Sequence, residues 1–205
     1  MQISPLTIEG AWLVTPEQHE DDRGVVLDWF ADQAFVEAVG HPLRLRRASC
    51  SVNVAGALRG LHYADLPPGQ GTYVTCASGA VAEVVVDLRV GSPTFGAHEI
   101  VLLADTDRRA VYLSEGLGHG SQAITDDTVV TTLYSEPSDA RKERAVNPLD
   151  PELGIAWPTH DRTGMPLTTV LSARDGGAPT LAEARAQGVL PSYDEAQAYR
   201  RSLRR

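Results

Sequence analysis

The chain has 205 residues, a formal net charge of −9 and an apolar share of 42%. This length fits one all-β domain built around one core. No apolar stretch approaches the roughly 20 residues needed to span a bilayer, and the first ten residues lack the basic and apolar regions of a signal peptide. Nucleic-acid-binding surfaces are normally basic. We therefore expect neither a membrane nor a nucleic acid as a partner.

The cysteine content gives a second constraint. Cys50 and Cys76 are the two cysteines of the chain, which is too few for a disulfide scaffold, and their separation is not that of a metal-ligand pair. We expect a cytoplasmic protein from this cysteine usage and from the N-terminal sequence.

Short β-branched runs separated by Gly, Pro, Asn and Asp fill the middle of the chain, a pattern typical of an antiparallel sandwich or barrel. One early helix is predicted over Asp32 to Val39, with Asp32 as its N-cap and Gly40 at its C-terminal end. The predicted strands cover residues 11–15, 25–30, 48–53, 58–62, 72–76, 80–88, 98–103, 109–113 and 128–134.

The character of the chain changes after Tyr134, where repeated prolines predict coil that wraps over the barrel. The tail then returns to helix, because Thr180 with Glu183 and Ser192 with Glu195 have the spacing of a capping box. We expect a single domain over residues 1–205, with the barrel over 11–160 and a C-terminal extension over 161–205.

A set of motifs follows the chain from one predicted strand to the next. The first is RGLHY at 59–63, which contains His62. It indicates little alone, since a single histidine on a strand is more often a hydrogen-bonded structural residue than a catalytic one. The motifs that follow are VDLR (86–89), GSPTFG (91–96), GLGHG (116–120), NPLDP (147–151) and LSARD (171–175).

In this order and at these separations the motifs resemble the dTDP-4-dehydrorhamnose 3,5-epimerase family and the related 3- or 5-monoepimerases. The resemblance extends from Glu20 to Leu181. It implies an all-β fold, a cupin-type jelly-roll barrel with a few short helices and a C-terminal helical tail. It also implies a homodimer that exchanges strands and no metal or other cofactor. The substrate implied is a nucleoside diphosphate 4-keto-6-deoxyhexose, dTDP-linked.

The resemblance also assigns roles to individual residues. It makes His62 the base and Asp175 the carboxylate that orients it, a pair that suits removal of the acidic hydrogen beside a ketone. Arg23 and Arg59 match positions that hold the diphosphate, for which the planar guanidinium is well shaped. His119 and Glu143 are assigned to the substrate pocket.

Two catalytic positions depart from the family pattern. The resemblance implies a lysine and a tyrosine at positions where this chain has Thr72 and Thr132, which we retain as substrate contacts. A threonine hydroxyl is too weak an acid to deliver a proton unaided. Tyr134 lies on the same strand face as Thr132, about 6 to 7 Å further along. It is either a migrated acid or a residue that packs or stacks on a base.

Smaller departures from the family pattern also occur, and functions other than epimerisation stay open. Glu83 stands where the family has an aspartate, and Arg47 and Ser49 stand where it has a Gln-x-Asn pair. The leading hypothesis is an epimerase that inverts one or two centres. A second keeps the His62/Asp175 pair for another base-initiated reaction in a natural-product pathway, such as an elimination, isomerisation or cyclisation. A third is a non-catalytic sugar-nucleotide-binding protein. A metal-dependent cupin is disfavoured, because the usual His-x-His is missing.

Overall fold

The structure, a computed structural model, describes residues 1–204. The strands are β1 (Gln2–Pro5), β2 (Ala11–Thr15), β3 (Gln18–Asp21), β4 (Gly24–Leu27), β5 (Arg47–Asn53), β6 (Ala57–Ala64), β7 (Thr72–Ser78), β8 (Ala80–Val86), β9 (His98–Ala104), β10 (Ala110–Leu113), β11 (Gly118–Ala123), β12 (Thr128–Tyr134), β13 (Glu143–Ala145) and β14 (Val170–Leu171). The helices are α1 (Asp32–Val39), α2 (Ala173–Gly176), α3 (Leu181–Ala186) and α4 (Tyr193–Leu203).

Twelve of the strands form two sheets that enclose the core. The first sheet has the order β1-β2-β10-β7-β12-β5, and the second has the order β13-β6-β11-β8-β9 with β14 parallel to β6. Strands β3 and β4 form a separate hairpin. The predicted all-β antiparallel architecture is confirmed. The core between the sheets includes Val74, Val81, Val85, Leu103, Val111 and Val130.

Strand β8 shows how the second sheet is covered on both faces. All seven of its residues are buried, as expected for a near-continuous apolar run. Val81 and Val85 point into the core between the sheets, whereas Val84 and Val86 pack against the C-terminal extension. Glu83 shares the inward face with the first pair, so its carboxylate is an ionisable group inside an apolar wall.

Helix α1 covers the outer face of the first sheet, and its bounds agree with the prediction. The N-cap prediction is wrong, because Ala31 holds that position without a side-chain hydrogen bond and Asp32 is the first helical residue. An acidic residue there still interacts favourably with the positive end of the helix dipole. Gly40 ends the helix as predicted, with φ 89° and its amide bonded to the Val36 carbonyl.

The nine predicted strands are present with small shifts, the largest being β4, which ends at Leu27 rather than at residue 30. Five short strands were not predicted: β1, β3, β11, β13 and β14. The coil prediction after Tyr134 was therefore incomplete, since β13 and β14 join the second sheet there. The Thr180 and Glu183 capping box is present, and Ser192 caps α4 by accepting a bond from the Glu195 amide. Within residues 1–204, none of the helices has both the length and the hydrophobicity that crossing a bilayer requires.

Candidate active site

A cavity with a volume of about 140 Å³ lies between the two sheets. One wall belongs to strands β5, β7 and β12 of the first sheet, and the facing wall belongs to β6 and β11 of the second. Polar side chains converge on it from both walls. They include Arg47, His62, Thr72, His119, Tyr134 and Glu143.

His62 and Asp175 are in direct contact. His62 Nε2 lies 2.9 Å from Asp175 Oδ1, and only 5% of Asp175 is exposed. The LSARD motif explains the placement, because Leu171 pairs in parallel with Leu58 on β6. Ser172 then caps α2 by accepting a hydrogen bond from the Asp175 amide at 3.0 Å. The capped turn thus holds the carboxylate beside the histidine.

This contact determines which nitrogen of His62 carries the proton. A carboxylate only accepts hydrogen bonds, so Nε2 donates to Asp175 and Nδ1 retains its lone pair. Burial lowers the pKa of His62 below its usual value; Asp175 partly opposes this effect, and the charges of His119 and Arg174 add to it. At neutral pH the imidazole is uncharged and able to accept a proton.

A second histidine and carboxylate lie on the same wall. His119 is the cross-strand partner of His62, and its Nδ1 lies 2.7 Å from Glu83 Oε1. Glu83 is fully buried, and this burial raises the pKa of its carboxyl group. The neighbouring His119 has the opposite, smaller effect and lowers that pKa. Directly opposed side chains on a sheet share one face, so both histidines approach the cavity from the same side.

The facing wall carries Tyr134, the register partner of Arg47 on β5 and of Thr72 on β7. The Arg47 guanidinium carbon lies 3.8 Å from the centroid of the Tyr134 ring, and Ser49 Oγ donates to the phenol oxygen at 3.4 Å. Thr132, although on the same strand face, is 7% exposed and does not line the cavity. Tyr134 lines the cavity and Thr132 does not, and a contact of Thr132 with substrate stays a prediction.

Arg59 lies in a neighbouring cavity of about 400 Å³ that His62 and Asp175 also line. Its Nε donates to Asn53 Oδ1 at 2.8 Å, and its outer nitrogens remain available for an anion. Glu143 lines the first cavity and accepts a hydrogen bond from Ser138. Arg59 and Glu143 thus line two different cavities, and His62 lines both.

Arg23 is not brought to this site within one chain. It lies at the turn of the β3–β4 hairpin, where its guanidinium pairs with Asp21 at 2.5 Å and its side chain is 87% exposed. Arg23 lines neither of the two cavities next to His62. The phosphate-binding role predicted for it has no support from the geometry of a single copy.

Seven residues that line the first cavity were not predicted as site residues: Tyr63, Ala64, Leu113, Leu117, Arg47, Gln70 and Arg174. The last three are long polar or charged side chains. Each of these three had a signal in the sequence. Arg47 replaces part of a family pair, Gln70 follows the prolines after RGLHY, and Arg174 precedes Asp175. Across residues 1–204, no group of three or more His, Cys, Asp and Glu side chains is arranged to hold a metal ion.

Comparison with known proteins extends these observations. A family model described as dTDP-4-dehydrorhamnose 3,5-epimerase matches residues 5–183. The dTDP-4-dehydrorhamnose 3-epimerase of Streptomyces niveus is 56% identical, over 97% of this chain and 92% of that protein. The dTDP-4-dehydrorhamnose 3,5-epimerase of Mycolicibacterium smegmatis is 49% identical, over 100% of this chain and 98% of that protein.

A solved structure gives the same result for the fold. A 3'-monoepimerase from Streptomyces bikiniensis, in complex with dTDP-quinovose, superposes with a TM-score of 0.92. It is 44% identical in sequence, and the match covers 98% of each chain. Similar proteins thus include enzymes named for inversion at one centre and enzymes named for inversion at two.

Proposed function

The chain belongs to the dTDP-4-dehydrorhamnose 3,5-epimerase family, and from this premise we propose that it inverts a carbon beside the ketone of a dTDP-4-keto-6-deoxyhexose. It is an isomerase of the sugar-nucleotide epimerase type. The observation that carries the proposal is the 2.9 Å contact between His62 and Asp175 beside the cavity. A pure binding protein has no use for a histidine oriented in this way.

The first step is removal of a proton. His62 Nδ1 accepts the hydrogen from the carbon next to the ketone, and the C–H electron pair moves into an enolate. Asp175 holds the ring in the required tautomer and stabilises the imidazolium that forms. The low pKa of His62 keeps it unprotonated before the reaction.

The second step returns a proton from the other side. Tyr134 belongs to the sheet opposite His62, so its hydroxyl donates to the opposite face of the same carbon and the centre is inverted. A phenol is a far stronger acid than the hydroxyl of Thr132. His119 is unsuited to this step, because it shares the wall of His62.

Binding of the diphosphate is assigned to Arg59, which lies beside Asp175. We also propose a homodimer in which Arg23 completes the site of the second copy. Among residues 1–204, the strands of the β3–β4 hairpin pair only with each other, and Val26 is 69% exposed. An exchanged hairpin would bury this valine and carry Arg23 to a neighbouring cavity.

The test is deuterium exchange from heavy water into dTDP-4-keto-6-deoxyglucose. NMR follows deuterium at both carbons next to the ketone, together with the inverted product. We expect exchange and inversion with the wild type and neither with His62→Asn. Tyr134→Phe should keep exchange but lose most inversion. His160→Asn, at an exposed histidine, is the matched control.

The results separate the remaining hypotheses. Deuterium at one of the two carbons, together with the product inverted at that carbon, means inversion at a single centre. A wild type that binds dTDP but exchanges no hydrogen is an accessory protein, not an epimerase. If it neither binds dTDP nor exchanges, the His62/Asp175 pair serves another substrate. Unchanged inversion in Tyr134→Phe would leave water as the acid.

A further inference from the structure

Arg47 is an arginine with unused hydrogen-bonding capacity beside the cavity. It forms none of the ion pairs found within residues 1–204. Its Nε is buried and has no hydrogen-bond partner among those same residues. A guanidinium is always charged and carries five N–H donors. Its location therefore implies a partner that the protein chain does not supply.

The position of this charge is set by the register of three strands. Tyr134 lies between Arg47 and Thr72 in a row across the first sheet, opposite His62 on the second. The other arginine of the cavity, Arg174, precedes Asp175 and acts electrostatically on His62. One cation thus lies beside the base, and the other lies beside the phenol.

The proposed reaction needs a positive charge at the second location. When His62 takes the proton, the ketone oxygen becomes an enolate oxygen with negative charge. Fixed donors aimed at such an oxygen are commonly the largest contribution to catalysis. Thr72, the next residue in the row, is uncharged, and the charge gained by His62 is already paired with Asp175.

We propose that Arg47 is a catalytic residue that donates hydrogen bonds to the ketone oxygen and stabilises the enolate formed there. This inference rests on the proposed function. The C–H bond breaks, the proton passes to His62, and the electron pair moves to the oxygen. Arg47 stays protonated throughout and exchanges no proton with the substrate. Stacking on the Tyr134 ring fixes the guanidinium in place.

The experiment measures the rate of deuterium exchange, which reports enolate formation and not the return of the proton. We expect Arg47→Gln to lower this rate roughly 10²- to 10³-fold while dTDP binding, measured by calorimetry, is unchanged. Arg46→Gln removes the same charge from an exposed neighbour and should leave the rate within about twofold of the wild type.

A rescue variant separates charge from structure. Adding Thr72→Lys to Arg47→Gln places an ammonium in the same row of the same wall. We expect the double variant to exchange at least about tenfold faster than Arg47→Gln, since one fixed donor is worth 10²- to 10³-fold. A residue with only a structural role would not be replaced by a cation on another strand. Circular dichroism checks that each variant is folded.

Three results would overturn the inference. Exchange by Arg47→Gln at half the wild-type rate or more would show that its charge is not used, while the proposed function would stand. A loss of dTDP affinity as large as the loss of rate would make Arg47 a phosphate ligand. A folded double variant as slow as Arg47→Gln would show that charge was not the missing element. If the wild type itself exchanges no hydrogen, the proposed function fails first.

Discussion

Gly60 and Gly120 approach so closely across β6 and β11 that a Cβ on Gly60 would lie 2.5 Å from the Cα of Gly120. Glycine in a strand often marks such a contact between backbones. His62 follows Gly60 by two residues, and His119 precedes Gly120 by one residue. The two histidines are paired in register just before a bulge. The contact of the two glycines therefore sets the spacing of the two histidines.

Gly60→Ala should destabilise the protein by about 3 kcal/mol or more. Gly60 has φ +134°, where a side chain is strained, and the added Cβ would also meet backbone atoms of β11. The matched control is Gly24→Ala, at φ +127° with no atom within 4 Å of the added Cβ. Urea denaturation should show a clearly smaller loss for Gly24→Ala. Equal losses would mean that the approach to Gly120 has no energetic effect.

The pH dependence of exchange should reflect the lowered pKa of His62. The base must be neutral, so the rate should fall tenfold per pH unit below a pKa that lies under the usual 6.5. Asp175→Asn should move this acid limb to still lower pH, because the carboxylate raises the histidine pKa. It should also lower the plateau roughly 10²- to 10⁴-fold by releasing the tautomer. An acid limb that moves to higher pH in Asp175→Asn, or a plateau rate equal to that of the wild type, would contradict the assignment of His62 and Asp175 as a pair.

Arg59→Ala should weaken dTDP binding by about 1.5 to 3 kcal/mol, the contribution of one charge-assisted contact. Arg162→Ala removes the same charge from an exposed ion pair with Asp105 and is the control in calorimetry. Equal affinities for the Arg59 and Arg162 variants would place the diphosphate elsewhere.

Glu115→Gln should change how stability depends on pH. Glu115 is 2% exposed, and its Oε2 has no hydrogen-bond partner in the described part of the chain, residues 1–204. Burial raises its pKa from the usual 4.5 to about 7. Between these two values the unfolded chain loses this proton while the folded protein keeps it, so the wild type loses stability as pH rises.

Glutamine has no proton to lose. The free energy of unfolding of the Glu115→Gln variant, relative to the wild type, should therefore grow by about 3 kcal/mol between pH 4.5 and pH 8, as a shift of 2.5 pKa units implies. Urea titrations at these two pH values measure the change. A constant difference would show that Glu115 ionises as freely in the fold as in the unfolded chain.

Alternation along the strands was the most informative sequence signal. The bounds of β12 were predicted correctly, and its alternation places Thr132 and Tyr134 on one face, as in the structure. Short polar strands such as β11 were missed because their residues lack β-branched side chains. Pairing with neighbouring strands, which a local pattern does not contain, holds them extended.

Relationships between distant strands were the least accessible from the sequence. The contact of Arg47 with Tyr134 depends on the register of β5 against β12, and a shift of β5 by one residue would turn Arg47 to the other face of the sheet. The burial of Thr132 below the opening likewise depends on neighbours from other strands. The contact of His62 with Asp175 was expected from family resemblance, since periodicity relates residues only within one element.

The segment that brings Asp175 to β6 also orders events during synthesis. Asp175 lies 113 residues after His62 and follows β12, the last long strand of the two sheets. Because synthesis runs from the N-terminus, the residues of β12 are joined to the chain before this carboxylate. A chain that ends before this carboxylate lacks the group that selects which nitrogen of His62 is protonated. The last strand to be made, β14, thus both completes the second sheet at the start of β6 and carries the LSARD turn that orients the base.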